Sequence, residues 1–482
     1  MTNLGLLTDY YELSMMQGYF LTNPNEEAVF DMFFRRQPFK GGFTIFAGLD
    51  PLVDAIVGLH FTRDDIDYLH ALGAFHKEFL DYLRNFRFEG DVYAQEEGNV
   101  VFPNEPLIRV HGRLLQAQLL ESLVLNYINF QSLIATKAAR IVIASDGGAV
   151  LEFGLRRAHG QDGAISAARA AFIGGVAATS NVRAGKEFNI PVSGTMAHSW
   201  VMSFHSELES FQKYADIYPD NCILLVDTFD TLKSGIPNAI SVFKRLKRQG
   251  RKGFGVRLDS GDLEYLSKAA RNMFDEAGLP EAKIYASNEL DEWIINQIMR
   301  NGARIDAWGV GTKLVTADSD PALTGVYKIS AKGIAGVFEP CIKISNHPEK
   351  TTNPGVKNVC RFYDLERMIL ADLVYLQEEE NALCAVIDKK EPLRFNHPNV
   401  DYAHFTCTEY GETRKLLKPF IINGERTVKA RPLPDIQHHA KEEIAVLHPT
   451  FKRLLNPHVY KVSISDELKA LKTKLIDACC QE

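Results

Sequence analysis

A chain of 482 residues with 54 basic and 61 acidic side chains carries a formal net charge of −7, and it lacks the basic stripe that a nucleic-acid partner requires. Nucleic acid is therefore not an expected partner, although local arginines can still serve a small anionic substrate. No stretch reaches the roughly 18 consecutive apolar residues of a membrane span, and the opening MTNLGLLTDYYELSMM has neither a basic leader nor a sustained apolar run. The expectation is a cytoplasmic protein without a membrane partner. Cysteine is sparse and odd in number, with seven residues at 222, 341, 360, 384, 407, 479 and 480 and no C-x-x-C pair. Idle or buried thiols are expected rather than disulfides or a zinc site. None of the 14 histidines has H-x-x-x-H or H-E-x-x-H spacing, so no direct metal ligand is marked. His438 and His439, beside an Arg/Pro-rich segment, read as surface residues.

What is present is a repeated device. Seven short apolar runs each end in a polar cluster and are followed by a helical pattern: VLEFGLRRAHG (150–160), FIGGVAATSN (172–181), IPVSGTMAHSW (190–200), ILLVDTFDT (223–231), GFGVRLDSGDL (253–263), IYASNELDEW (284–293) and IDAWGVGTKL (305–314). Short apolar runs without alternation read as parallel strands buried on both faces. Strand–helix units of this kind close toward a barrel that gathers its chemistry at the carboxyl ends of its strands. The expected fold is therefore α/β: an irregular or incomplete (β/α) barrel over 141–324. A flanking α/β domain would come from 1–140, completed by about 325–400, with a C-terminal extension over 401–482.

The flanks supply more detail. Residues 1 to about 30 read as helical, with Thr8 or Asp9 as the cap. AVFDMFFRRQPFKGGFTIFAGL (28–49) alternates like a hairpin around Lys40-Gly41-Gly42. A β-rich block follows at 88–112, then one long apolar helix at 114–141. Strand-like patterns resume at 325–364, and SDELKALKTKLIDA (465–478) reads as a capped amphipathic helix.

Several clusters suit anion and sugar chemistry. Gly309-Val310-Gly311-Thr312 is a turn whose free backbone N–H groups can receive a phosphate, though G-x-G-T also describes an ordinary strand-to-helix turn. Arg257-Leu258-Asp259-Ser260-Gly261-Asp262 ends a strand in charges that are costly to bury unless they are used; the alternative is an ion pair at a barrel rim. Asp227 ends ILLV in the same way, whereas Asp230 reads as a helix cap. Phe153 and Arg156 share one strand end, and taken alone they could be core packing and a solvated helix start. His198 follows a Gly-Thr strand end in the polar cluster.

TDYYELSMM, ESLVLNYINFQSLIATKAAR, EFGLRRAHG, SGTMAHSWV, LVDTFDT, GVRLDSGDL and GVGTKLVT, in this order, resemble the nicotinate phosphoribosyltransferase family across about residues 6–365. The resemblance implies transfer of the phosphoribosyl group of 5-phosphoribosyl 1-pyrophosphate to nicotinate. Nicotinate mononucleotide and pyrophosphate would form as the first step of NAD salvage from nicotinate, coupled to ATP hydrolysis. It implies Mg2+ accompanying the phosphorylated substrates, ATP as co-substrate, and a homodimer with shared sites. His198 would be the phosphorylated histidine. Arg257 would contact base or phosphate, and Asp259 ribose hydroxyls or Mg-pyrophosphate. Asp227 would hold ribose, and Gly309, Gly311 and Thr312 the 5-phosphate. Phe153 would stack on the pyridine opposite Tyr11 of a partner subunit, with Arg156 nearby and Thr195 contacting nicotinate.

The related nicotinamide enzymes resemble the chain at FIGGV but carry Asp where Val176 stands. Valine cannot accept a carboxamide N–H, so nicotinate is favoured there. The alternatives are a nicotinamide or quinolinate phosphoribosyltransferase, or a non-catalytic metabolite-binding relative that Arg257, Asp259, Asp227 and His198 speak against.

Overall fold

The computed structural model describes residues 4–400 and 402–479; Cys480 lies outside the described residues. Two compact units emerge, one spanning Ile134–Pro321 and the other the described residues of Met1–Leu133 and Ala322–Glu482.

In the first unit six of the seven apolar runs become strands: β1 Ala149–Glu152, β2 Ala178–Thr179, β3 Cys222–Leu225, β4 Phe254–Leu258, β5 Lys283–Ser287 and β6 Ala307–Val310. They form one open sheet in the order β2-β1-β6-β5-β4-β3, and every neighbouring pair is parallel. This is the expected incomplete barrel. All four residues of β3 and of β6 are buried, which explains why these strands show no alternation in sequence. The seventh run contributes a single parallel bridge, Thr179 to Val192. Pro191, just before the bridge, has no N–H to donate, so the ladder does not extend back toward Ile190; past Ser193 the chain runs on to a short helix, His198–Met202.

Much of the polarity that follows the strands is spent on starting helices. Asn181 accepts from the Ala184 N–H, Asp262 from Tyr265, and Asp291 from Trp293 and Ile294. Asp230 accepts from Leu232 and Lys233, the capping role expected of it.

The second unit holds a seven-stranded and a six-stranded sheet. Its first strand, Glu27–Phe34, does not fold back on 44–45 as a hairpin. It lies instead between Ile108–Arg113 and Gly325–Ile334, antiparallel to both. Pro38 and positive φ at Phe39 and Lys40 turn the chain away, and Thr44–Ile45 pairs with Val100–Val101. The helix expected over residues 1 to about 30 is confined to Tyr10–Thr22, and the long helix at 114–141 breaks into Leu114–Leu119 and Glu121–Ala144. Pro24 and the strand beginning at Glu27 account for the first stop.

The residues past 400 are woven into the same unit. Lys418–Ile422 pairs with Asp91–Ala94 in one sheet, and Val462–Ile464 runs beside Ile369–Leu376 in the other. His438 is exposed, but His439 is half-buried, its Nε2 2.8 Å from Asn99 Oδ1. The alternation of a helix face, not composition, separates the two.

A fully buried ion network anchors the helix Leu433–Ala445 to this unit. Arg361 donates to both oxygens of Asp372 at 2.9 and 2.7 Å and to Glu443 at 3.1 Å, and Tyr460 donates to Asp372 at 3.0 Å. Removing the cation leaves Asp372 buried without a charged partner and Glu443 with Arg414 alone, a defect worth about 3–5 kcal/mol. Arg361→Ala is therefore expected to lower the unfolding temperature sharply, while Arg367→Ala, whose pairing with Glu412 is at the surface, leaves it nearly unchanged. Calorimetry of the two variants compares them directly.

Candidate active site

The carboxyl ends of β1, β6, β5, β4 and β3 carry a continuous row of side chains. Phe153 follows β1, and its amide donates to Val310 O at 2.8 Å. Its ring lies against Gly309 of β6 so closely that a Cβ at 309 would stand 2.5 Å from the ring carbon. Glycine at 309 is what lets the aromatic ring rest on the strand. Beside Gly309 in register stands Ser287 of β5, whose hydroxyl donates to Asp259 Oδ1. Asp259, just past β4, donates its own amide to Asp227 Oδ2 at 2.9 Å, and Ser260 donates its hydroxyl to the same oxygen at 2.6 Å. Asp227 Oδ1 is buried and has no hydrogen-bond partner, an acceptor left open for something the protein does not supply.

Cationic and imidazole groups face this row. Arg257 donates to Thr195 Oγ1 at 2.5 Å, and its Nη2 is 3.9 Å from Asp259 Oδ2. Burial draws the Arg257 pKa down, opposed by the charges of Asp259 and Asp227, and Arg156 is near enough for its charge to act in the same direction as burial. His198 places Nδ1 3.1 Å from Thr228 Oγ1 and Nε2 3.8 Å from Asp259 Oδ2. Arg257, Asp259, Asp227, His198, Thr195, Phe153 and Gly309 are thus brought together. Arg156 is exposed on the single turn Leu155–Arg157 after β1.

Gly311 and Thr312 lead directly from β6 into the turn Thr312–Val315. A Cβ at 311 would sit 3.0 Å from Phe153 O, so the second glycine serves the close approach of the two chain segments. Tyr11 belongs to the other unit, exposed on the helix Tyr10–Thr22. Partial desolvation and the nearby Glu121 and Glu12 push its phenol above the usual range.

Val176 is a correction. It is 1% exposed and lies before β2, where the next amide, Ala177 N–H, bonds Val150 O at 2.8 Å. The carboxyl end of β2 is instead reached at Ser180, whose amide bonds Glu152 O at 2.8 Å. FIGGV contains the turn that ends a helix, with Gly174 as its cap and Gly175 at φ +104°, so it belongs to the opposite end of the strand from the site. Val176 and Ser180 stand on opposite sides of β2.

Sequence reasoning also passed over Ser287, Ser260, Thr228 and Glu152. Their signal was only that each sits at or next to a strand end. With Val176 in the core, Val176→Asp is expected to reduce folded yield and thermal stability, since an unpaired carboxylate would be buried. The folded fraction should retain the parent's preference among pyridine bases. A reproducible change in the ratio of kcat/KM for nicotinate and nicotinamide would return Val176 to the pocket.

Three family models match the chain in succession: the nicotinate phosphoribosyltransferase N-terminal domain over residues 6–129, the nicotinate phosphoribosyltransferase family over 149–367 and its C-terminal domain over 356–472. The nicotinate phosphoribosyltransferase of Bacillus subtilis is 43% identical over 98% of this chain and 95% of its own, and that of Mus musculus is 31% identical over 98% and 96%. The crystal structure of human nicotinic acid phosphoribosyltransferase superposes with a TM-score of 0.82 at 29% identity, covering 98% of this chain and all of that one. A nicotinate-nucleotide pyrophosphorylase from Pyrococcus furiosus, at 22% identity and a TM-score of 0.69 over 92% of this chain and 95% of its own, shares the fold. Full-length identity at this level, together with three consecutive model matches, places the chain in the nicotinate phosphoribosyltransferase family.

Proposed function

We propose that this protein transfers the phosphoribosyl group of 5-phosphoribosyl 1-pyrophosphate to nicotinate, releasing pyrophosphate and forming nicotinate mononucleotide for NAD salvage. The observation that carries it is the row Phe153–Gly309–Ser287–Asp259–Asp227, which sets an aromatic platform beside two carboxylates and an arginine within one sheet. The pyridine nitrogen forms a bond to ribose C1 as the bond from C1 to pyrophosphate oxygen breaks. Positive charge develops on the ribose, so carboxylates at its hydroxyls and donors at the phosphates favour the transition state.

Phe153 offers one face for stacking. The Asp227 Oδ1 left without a partner suits a ribose hydroxyl, and the backbone N–H groups from Gly309 to Thr312 suit the 5-phosphate. Arg257, with Thr195 bonded to it, suits the carboxylate of the base or a phosphate.

Among the described residues no cluster of three or more His, Cys, Asp or Glu could hold a metal ion. Mg2+ that arrives with the phosphates takes at most one or two carboxylates from the protein, and Asp259 suits one of them. Bound there, Mg2+ would neutralise the pyrophosphate.

His198 suits the role of phosphoryl acceptor from ATP. With Nδ1–H donated to Thr228 Oγ1, the Nε2 lone pair is free to bond the γ-phosphorus as its bond to the bridging oxygen breaks and ADP leaves. Tyr11, exposed on its helix, suits the second face of the base sandwich in a homodimer. Among the described residues no helix is long and apolar enough to cross a membrane, and we assign the activity to the cytoplasm. The preference for nicotinate over nicotinamide rests on the relatives and no longer on Val176.

Mixing the protein with phosphoribosyl pyrophosphate, Mg-ATP and nicotinate, nicotinamide or quinolinate in parallel is expected to yield nicotinate mononucleotide in the first tube. No pyridine nucleotide in any tube would overturn the assignment. His198→Ala is expected to lose ATP hydrolysis and acid-labile phosphoprotein while keeping slow ATP-independent transfer; undiminished ATP turnover would remove His198 from that role. Tyr11→Ala and Arg257→Ala homodimers should both be poor. When they are unfolded and refolded together, heterodimers should recover one intact site each, and verified heterodimers without recovery would return Tyr11 to its own subunit.

A further inference from the structure

A carboxyl group outside the roles above immediately precedes the proposed base platform in the chain. Glu152, the last residue of β1, is 1% exposed. Its Oε1 accepts the Gly154 N–H, and Thr179 Oγ1 donates to its Oε2 at 2.5 Å. Its backbone oxygen also accepts Ser180 N–H at 2.8 Å. One residue therefore joins the Phe153-Gly154 turn to the carboxyl end of β2 at three points. We propose that Glu152 is a positioning residue: its carboxyl group anchors the turn that holds the Phe153 ring against Gly309.

The turn has reason to need an anchor. A Cβ at 154 would stand 2.2 Å from Val315 Cγ1 and 2.9 Å from Glu152 Oε1, so only glycine fits, and glycine stiffens the backbone least. Phe153 is otherwise held by a single backbone bond to Val310 and by its contact with Gly309. Burying a carboxyl here is costly, and burial raises its pKa despite the bonds from Thr179 and Gly154. A side chain that only filled space would not require such a group. Because the carboxyl is buried, it acts through Phe153 rather than by touching substrate.

The inference rests on the proposed use of Phe153 as the nicotinate platform, and its test separates the two. Glu152→Ala frees the turn, whereas Glu152→Gln keeps an oxygen for the Gly154 N–H and an amide N–H₂ for Thr179 Oγ1. Loss of the two buried side-chain hydrogen bonds, partly offset because the carboxyl no longer has to be buried, corresponds to roughly a tenfold effect. Glu152→Ala is expected to raise the nicotinate KM by about that factor, with the KM for phosphoribosyl pyrophosphate within about twofold of the parent. Glu152→Gln is expected to restore the nicotinate KM. Hydrogen exchange of the 153–157 amides in the ligand-free protein should quicken in the alanine variant and not in the glutamine one.

Should the alanine variant fail to fold, Thr179→Val removes one of the same bonds with little change in volume and should shift exchange and nicotinate KM in the same direction. Unchanged exchange and KM in a folded Glu152→Ala protein, or equal rises in both KM values, overturn the proposal. A parent protein that turns over no nicotinate would sink the functional reading instead, with exchange at 153–157 still deciding the anchor.

Discussion

The hydrogen bond from the Asp259 amide to Asp227 Oδ2 is the contact on which the site's geometry depends. It joins the ends of two adjacent parallel strands and fixes one carboxylate relative to the next. Asp259 is thereby set to receive Ser287 on one oxygen and to lie near His198 and Arg257 on the other. Asp227 keeps one oxygen open because its other oxygen already takes two donors. Parallel strands make this possible: their slanted ladders bring every carboxyl end to one edge, and residues distant in sequence become neighbours without long loops.

The same edge divides its acids between two kinds of work. Asp230, Asp262 and Asp291 accept backbone N–H groups at helix starts, satisfying donors that a helix cannot satisfy for itself. Asp227 and Asp259 stand three residues before Asp230 and Asp262, at the strand end proper, and have no helix to cap. Spacing from the end of the strand thus separates structure from chemistry. Lys137 and Arg140, both buried, balance Glu292 at 2.8 and 2.9 Å, so deeper charge in this unit is paired internally rather than turned to the edge.

Motif order, strand ends and the glycine turn at 309 and 311 were legible in the chain because each follows from local chemistry: an apolar run must be buried, and a strand end must turn. Partners were not legible. Residues 27–34 alternate as a hairpin strand would, yet their partners lie about 80 and 300 positions away. FIGGV reads as the end of an apolar run, yet the strand begins after it. Only the ladder with β1 shows that Ser180, and not Val176, reaches the edge.

By itself the sequence determined the class of the fold, the family and the residue types available at the strand ends. These properties depend on the order of apolar and polar residues along the chain. Tertiary structure alone decided which strand end faces which: that Ser287 serves Asp259, that Phe153 rests on Gly309, that Glu152 ties β1 to β2, and that the seventh run meets β2 in one bridge at Val192. Each is a contact between residues separated by 13 to 156 positions, and the register of neighbouring strands, set by packing across the whole sheet, chooses among pairings that local pattern leaves equivalent.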